Sequence, residues 1–138
     1  MKYMEADKNL QGNEILEEKI IKMYENLTDR TYADALEAVR ERMKAGGHLV
    51  VAVRPAGVGG LELRPVSTPD GISWIAAFTG LEEEIKKKDA IMSGFTAEIS
   101  KLFDMVLESE NINGLIINPW DKALKLDKRI IRLIKGNN

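Results

Sequence analysis

The chain has 138 residues, 44% of them hydrophobic and 30% charged, with 20 basic against 22 acidic side chains. That is the composition of one soluble globular domain with enough chain to enclose a core. It is not the composition of a disordered chain, and it argues against a basic surface that would bind nucleic acid through clustered cations. The absence of cysteine removes disulfides, thiolate chemistry and cysteine-based zinc or iron–sulfur sites together.

Met1 to Gly12 lacks periodicity and reads as a flexible lead-in to a single domain over residues 13–138. It carries acid where a signal peptide needs an apolar run, and no stretch approaches the length of a membrane span, so neither export nor a membrane-spanning segment is expected. From Asn13, read as an N-cap, Leu16, Ile20, Met23, Tyr24 and Leu27 recur at helical spacing. After Thr28-Asp29-Arg30 a second stripe, Tyr32, Ala35, Leu36, Val39 and Met43, runs to Gly46-Gly47, a left-handed stop.

His48 to Arg54 is rich in β-branched residues and ends at Pro55, as a largely buried strand would. Leu61 to Val66 alternates, but Pro65 places it at a sheet edge or ends it early. Pro69-Asp70-Gly71 is a turn, and Ile72, Trp74, Ala76 and Phe78 alternate along the next strand. Thr79 and Glu82 have the spacing of a reciprocal helix cap, so a helix is expected to open at Thr79. Glu82, Glu83 and Glu84 each have a lysine one turn on, which makes a solvated face rather than a cation site.

Ala90 to Met92 is read as a short strand and Thr96 as the start of a helix with the stripe Ile99, Leu102, Phe103 and Val106. Leu115-Ile116-Ile117 suits a strand covered on both faces. Asn118 precedes Pro119, which favours an extended backbone there and stops the ladder. Leu124 and Leu126 flank a brief strand, and Asp127 caps a final helix. The fold class is therefore α+β: two N-terminal helices, a mixed, mainly antiparallel sheet of about five strands, and helices packed on it.

The run of a strand ending in Phe78-Thr79, an acidic helix from Leu81-Glu82, a second helix, Gly114 to Pro119, a short strand and a last helix resembles the N-terminal domain of the SseB family, the enhanced serine sensitivity proteins of bacteria. The likeness spans about Tyr32 to Leu133 in order of elements, and Trp120 departs from it where a smaller residue is expected. The resemblance implies an α+β module with no catalytic residues to carry over, and a bacterial, cytoplasmic binding or adaptor role toward a protein partner.

No residue pattern points to chemistry. His48 is the only histidine and lacks a partner for metal binding or nucleophile activation. Gly57-Val58-Gly59-Gly60 follows a strand as a phosphate loop would, yet an alternating segment with proline follows where a helix is needed. Neither a catalytic residue, a metal nor a cofactor is expected. Lys122, Lys125, Lys128, Arg132 and Lys135 form a candidate basic patch, against which stands their ordinary role near a helix C-terminus.

Trp120, at the end of a buried strand, is either a lid over the sheet or an interface anchor, with one ring edge packed on the strand and the other open beside Asp121. The candidate interaction surface is Asn118, Trp120, Asp121, Lys125 and Arg132. An alternative function is a small-molecule sensor or small enzyme with a pocket lined by backbone groups and carboxylates. Partner identity and oligomeric state are left open.

Overall fold

The computed structural model describes residues 8–55, 61–63, 65–80 and 93–136. The helix expected after Thr79, its Glu–Lys pairs, the Thr79–Glu82 cap, the Gly57–Gly60 loop and the Ala90–Met92 strand lie outside the described residues. After a short turn at Lys8–Leu10, the elements are α1 (Asn13–Glu25), α2 (Asp29–Lys44), β1 (His48–Pro55), β2 (Leu61–Leu63), β3 (Pro65–Ser67), β4 (Ser73–Phe78), β5 (Ser93–Glu98), α3 (Ile99–Glu108), β6 (Gly114–Ile117), β7 (Leu124–Asp127) and α4 (Lys128–Lys135).

The seven strands form one mixed sheet. β5 pairs antiparallel along β1 from His48 to Val53, and β1 pairs antiparallel with β4 through Val50–Phe78 and Val51–Ala77. β4 and β6 run parallel, Ile75 beside Leu115 and Ala77 beside Ile117, and β7 closes antiparallel on β6. Five strands thus lie side by side, as the α+β reading expects. Where β1 and β4 part, β2 pairs with the end of β1 and β3 with the start of β4, both antiparallel. The chain therefore reverses between Leu63 and Pro65 inside that fork. Proline, which has no amide to donate, stands where one strand has ended and the next begins.

Alternation assigns the two faces of the sheet. Leu49, Val51, Ile75, Ala77, Leu115, Ile117, Leu124 and Leu126 point to one side, and the four described α-helices pack there. Leu16, Ile20 and Met23 of α1, Ala35, Ala38 and Val39 of α2, Leu102, Phe103 and Val106 of α3, and Ile131 and Ile134 of α4 complete this core. Burying each large side chain contributes about 1.5–3 kcal/mol before entropic costs. Tyr24 and Leu27, which shared the helical spacing of α1, are exposed instead. On the other side Val50, Ala76 and Phe78 form a smaller cluster with Leu10, Val66 and Trp120 packed against it.

Local chemistry sets the helix ends. Thr28 and Thr31 cap each other reciprocally at the start of α2, with the Thr31 amide donating to Thr28 Oγ1 at 3.0 Å. The Ile130 amide donates to Asp127 Oδ1 at 2.9 Å, so Asp127 caps α4 as its sequence position indicates. Arg40 donates from Nε to Ile134 O at 3.0 Å and from Nη2 to Leu133 O at 2.6 Å, tying α2 to the carbonyl end of α4, where Leu133 O also accepts from Gly136 N.

Three expectations are corrected. Thr96 does not open a helix: it lies in β5, six residues paired along β1, and α3 begins at Ile99. The weak alternation of Ser93 to Glu98 hid a strand that tertiary pairing imposes. Asn13 is not an N-cap, because Gly12 occupies that position with a φ of 99° and the Asn13 side chain turns inward. Residues 8–12 are no loose lead-in either, since Leu10 packs on the second cluster and Asn9 O accepts from Arg42 Nη2 at 3.1 Å.

Candidate functional site

The parallel strands β4 and β6 end side by side, and the residues that follow them are Thr79 and Asn118. Carboxyl ends of parallel strands are where open sheets commonly place binding groups. Asn13, Thr79 and Asn118 are the buried polar residues among those described, and all three meet at this end of the sheet.

Thr79 is held on every side. Its amide donates to Asn118 Oδ1 at 3.0 Å, its carbonyl accepts from Asn13 Nδ2 at 3.0 Å, and its hydroxyl accepts from Asn118 Nδ2 at 3.1 Å. That hydroxyl in turn donates to Glu17 Oε2. Asn13 also donates to His48 O at 3.0 Å and accepts from Arg42 Nε at 2.7 Å, which commits both of its N–H bonds. The connection runs unbroken from α2 through α1 to the ends of β4 and β6. Buried polar groups joined this completely stabilise a single arrangement, because each lost partner leaves another group unsatisfied.

Asn118 has a left-handed backbone, with a φ of 55°. The extended conformation expected before Pro119 is overridden because both ends of the Asn118 side chain are captured by Thr79, and asparagine tolerates this region better than most residues. Strain of this kind costs about 1–3 kcal/mol and persists only where the surroundings impose it. Lys122 is left-handed too, with a φ of 52°. These two non-glycine residues bracket Pro119, Trp120 and Asp121.

The turn between them is tied down at both ends. Asn118 N donates to Ala77 O at 2.8 Å, Asp121 N donates to Asn118 O at 3.2 Å, and the Tyr24 hydroxyl of α1 donates to Ala123 O at 2.7 Å. The Trp120 ring lies 6.0 Å from the Phe78 ring, tilted by 42°, and is half-buried. Beside it Asp121 is exposed and pairs with Lys122 at 3.7 Å.

The five sequence-predicted surface residues do not converge. Asn118 is buried and shapes the turn rather than lining a surface. Trp120 and Asp121 stand on the turn itself. Lys125 projects from β7 on the face opposite the helices, its ammonium 5.7 Å from the Trp74 ring, a cation–π distance. Arg132 is on α4, which packs on the helical face. The candidate basic patch is divided further, because Lys128 donates to Ser109 O and Lys135 pairs with Asp104 at 2.7 Å. Those two lysines tie α4 to α3.

His48 is half-buried at the start of β1, with Nδ1 3.2 Å from Thr96 Oγ1. Among the described residues no three His, Asp or Glu side chains are placed to hold a metal ion, and no helix is long and apolar enough to cross a membrane. Glu17 and Arg42 were missed by sequence reasoning, since their partners lie far away in the chain and no local spacing marks them.

No protein-family model, curated protein or solved structure matches the chain.

Proposed function

We propose that this chain is a binding or adaptor module of the SseB-like kind, acting on a protein partner in the bacterial cytoplasm. Its recognition element is the turn from Asn118 to Ala123. The observation that carries this reading is the pair of left-handed residues, Asn118 and Lys122, on either side of Trp120 and Asp121. A strained turn anchored to the core fixes an aromatic and an acidic side chain in one geometry, and preorganisation of this kind favours affinity by lowering the cost of ordering. Tryptophan is also the residue most enriched at interface hot spots. Tyr24, half-exposed, anchors the far end of the turn through its bond to Ala123 O. The order of β6, β7 and α4 after Thr79 supports the SseB-like part of the proposal.

The alternative of a small-molecule site draws support only from the location of Thr79 and Asn118 at parallel strand ends. Their polar groups bond each other, Asn13 and Glu17, so the binding-module reading is preferred.

The test is capture from a bacterial extract on the immobilised protein, with Trp120→Ala and Asp121→Ala run beside the parent. A species held by the parent and lost from both folded variants is the expected result. Equal capture by all three proteins would overturn the proposal.

A further inference from the structure

The Arg42 guanidinium lies in a slot between two glycines. A Cβ on Gly12 would come within 2.6 Å of Nη1, and one on Gly47 within 2.5 Å of Nη2. From that slot Arg42 donates to Asn9 O at 3.1 Å and to Asn13 Oδ1 at 2.7 Å. The segment from Asn9 to Asn13 is thereby pinned across the edge of the domain. Two independent contacts lead from it to the Trp120 turn. Asn13 holds the Thr79 carbonyl, and Thr79 holds the side chain that keeps Asn118 left-handed. Leu10 packs on the same Val50, Ala76 and Phe78 cluster that carries Trp120.

We infer that residues 9–13 are a strap that latches the Trp120 turn, with Arg42 as its buckle and Leu10, Asn13 and Arg42 as positioning residues. The element with two states is the Asn118 backbone. Before proline the extended region is favoured, and the grip of Thr79 on the Asn118 side chain works with the Asn118 N–Ala77 O and Asp121 N–Asn118 O bonds to hold the left-handed one. With the strap closed, Asn118 stays left-handed and Trp120 lies on Phe78. With the strap open, Thr79 loses a bond and the shared apolar cluster loses Leu10, so Asn118 relaxes and Trp120 leaves its seat. A ligand or partner that lifts residues 9–13 would in this way alter the geometry of a surface it does not touch. The inference rests on the proposed role of the turn only for its biological meaning; the coupling itself is measurable without any partner.

The measurement is acrylamide quenching of Trp120 fluorescence in a Trp74→Phe background, which leaves one emitter. Arg42→Lys keeps the charge but cannot reproduce the fork, and Leu10→Ala removes the second contact. Both are expected to raise the quenching constant about twofold, as for a locally opened segment, with far-UV circular dichroism unchanged. Arg40→Lys is the control, because it removes the end cap of α4 without touching the strap. Quenching in Arg42→Lys and Leu10→Ala equal to that of the background protein would overturn the inference, as would an equal rise in Arg40→Lys. If quenching responds as expected while partner capture is indifferent to Trp120→Ala, the strap stands and the proposed binding surface falls.

Discussion

Thr79 and Asn118 bond each other twice across the ends of two neighbouring parallel strands, amide to Oδ1 at 3.0 Å and Nδ2 to Oγ1 at 3.1 Å. Each residue terminates its own strand by gripping the other, so the two strand ends are held at one level. The side chain of one and the main chain of the other are interdependent, and substitution separates their contributions.

At Asn118 the contrast is between alanine and glycine. Asn118→Gly keeps easy access to a left-handed backbone but leaves the Thr79 amide unsatisfied, at about 1–3 kcal/mol. Asn118→Ala adds the left-handed penalty of about 1–2 kcal/mol. Urea unfolding should therefore rank parent, glycine variant and alanine variant in descending stability. Equal midpoints for the two variants would show that the backbone relaxes once the side chain is gone.

Thr79→Val preserves shape and removes the hydroxyl, stranding Asn118 Nδ2 and the Glu17 carboxylate. The expected loss is about 1–3 kcal/mol, more than the ~1 kcal/mol of an ordinary helix cap. A double-mutant cycle with Glu17→Gln should show coupling of at least about 0.5 kcal/mol, as contacting residues do. Strict additivity would mean that the Thr79–Glu17 bond contributes nothing to stability.

Gly114→Ala tests packing rather than polarity. A Cβ at Gly114 would sit 2.2 Å from Leu126 O and 2.9 Å from Trp74 Cζ3, and the first of these is main chain in the adjacent strand. Because neither neighbour swings aside freely, destabilisation of about 2–3 kcal/mol is expected, the upper range for overpacking. Thermal melting within a degree of the parent would contradict the geometry.

Asp70 gives a pH signature. The Thr68 hydroxyl and then the Ile72 amide donate to its carboxylate in the turn before β4, holding its pKa below the ordinary aspartate value of 3.8. A carboxyl whose folded pKa is depressed contributes stability that is complete above its unfolded value and is lost as pH falls through the folded one. The stability difference between the parent and Asp70→Asn should hold from neutral pH down to about pH 4 and shrink below it. A difference that stays constant from neutral pH to the acid limb would refute the assignment.

Periodic features of the fold were legible in the sequence. The stripes from Leu16 to Met23 and Tyr32 to Met43, the run Leu115-Ile116-Ile117 and the cap at Asp127 are local patterns, and each formed the element it specified. The site was less legible, because its bonds join distant positions. Asn13 beside a glycine at a helix start looks like a cap, and nothing nearby reveals that it reaches His48 and Thr79. Asn118 before proline looks extended, and the long-range hold of Thr79 on its side chain is invisible in the local pattern. Ser93 to Glu98 became a strand for the same reason, with β1 supplying the partner that its own pattern did not announce.

The parallel pairing of β4 with β6 also dictates what a growing chain looks like before it is finished. During synthesis β4 emerges early, and β1 meets it only at Ala77 and Phe78, with β3 taking the stretch from Ser73 to Ile75. Its opposite edge has no strand to accept until Gly114 to Ile117 leaves the ribosome, after β5 and α3 have already passed. Throughout that interval Trp74 to Phe78, buried on both faces in the finished protein, presents an open apolar ladder. Chains that terminate before Gly114 are thus the ones expected to stick to one another.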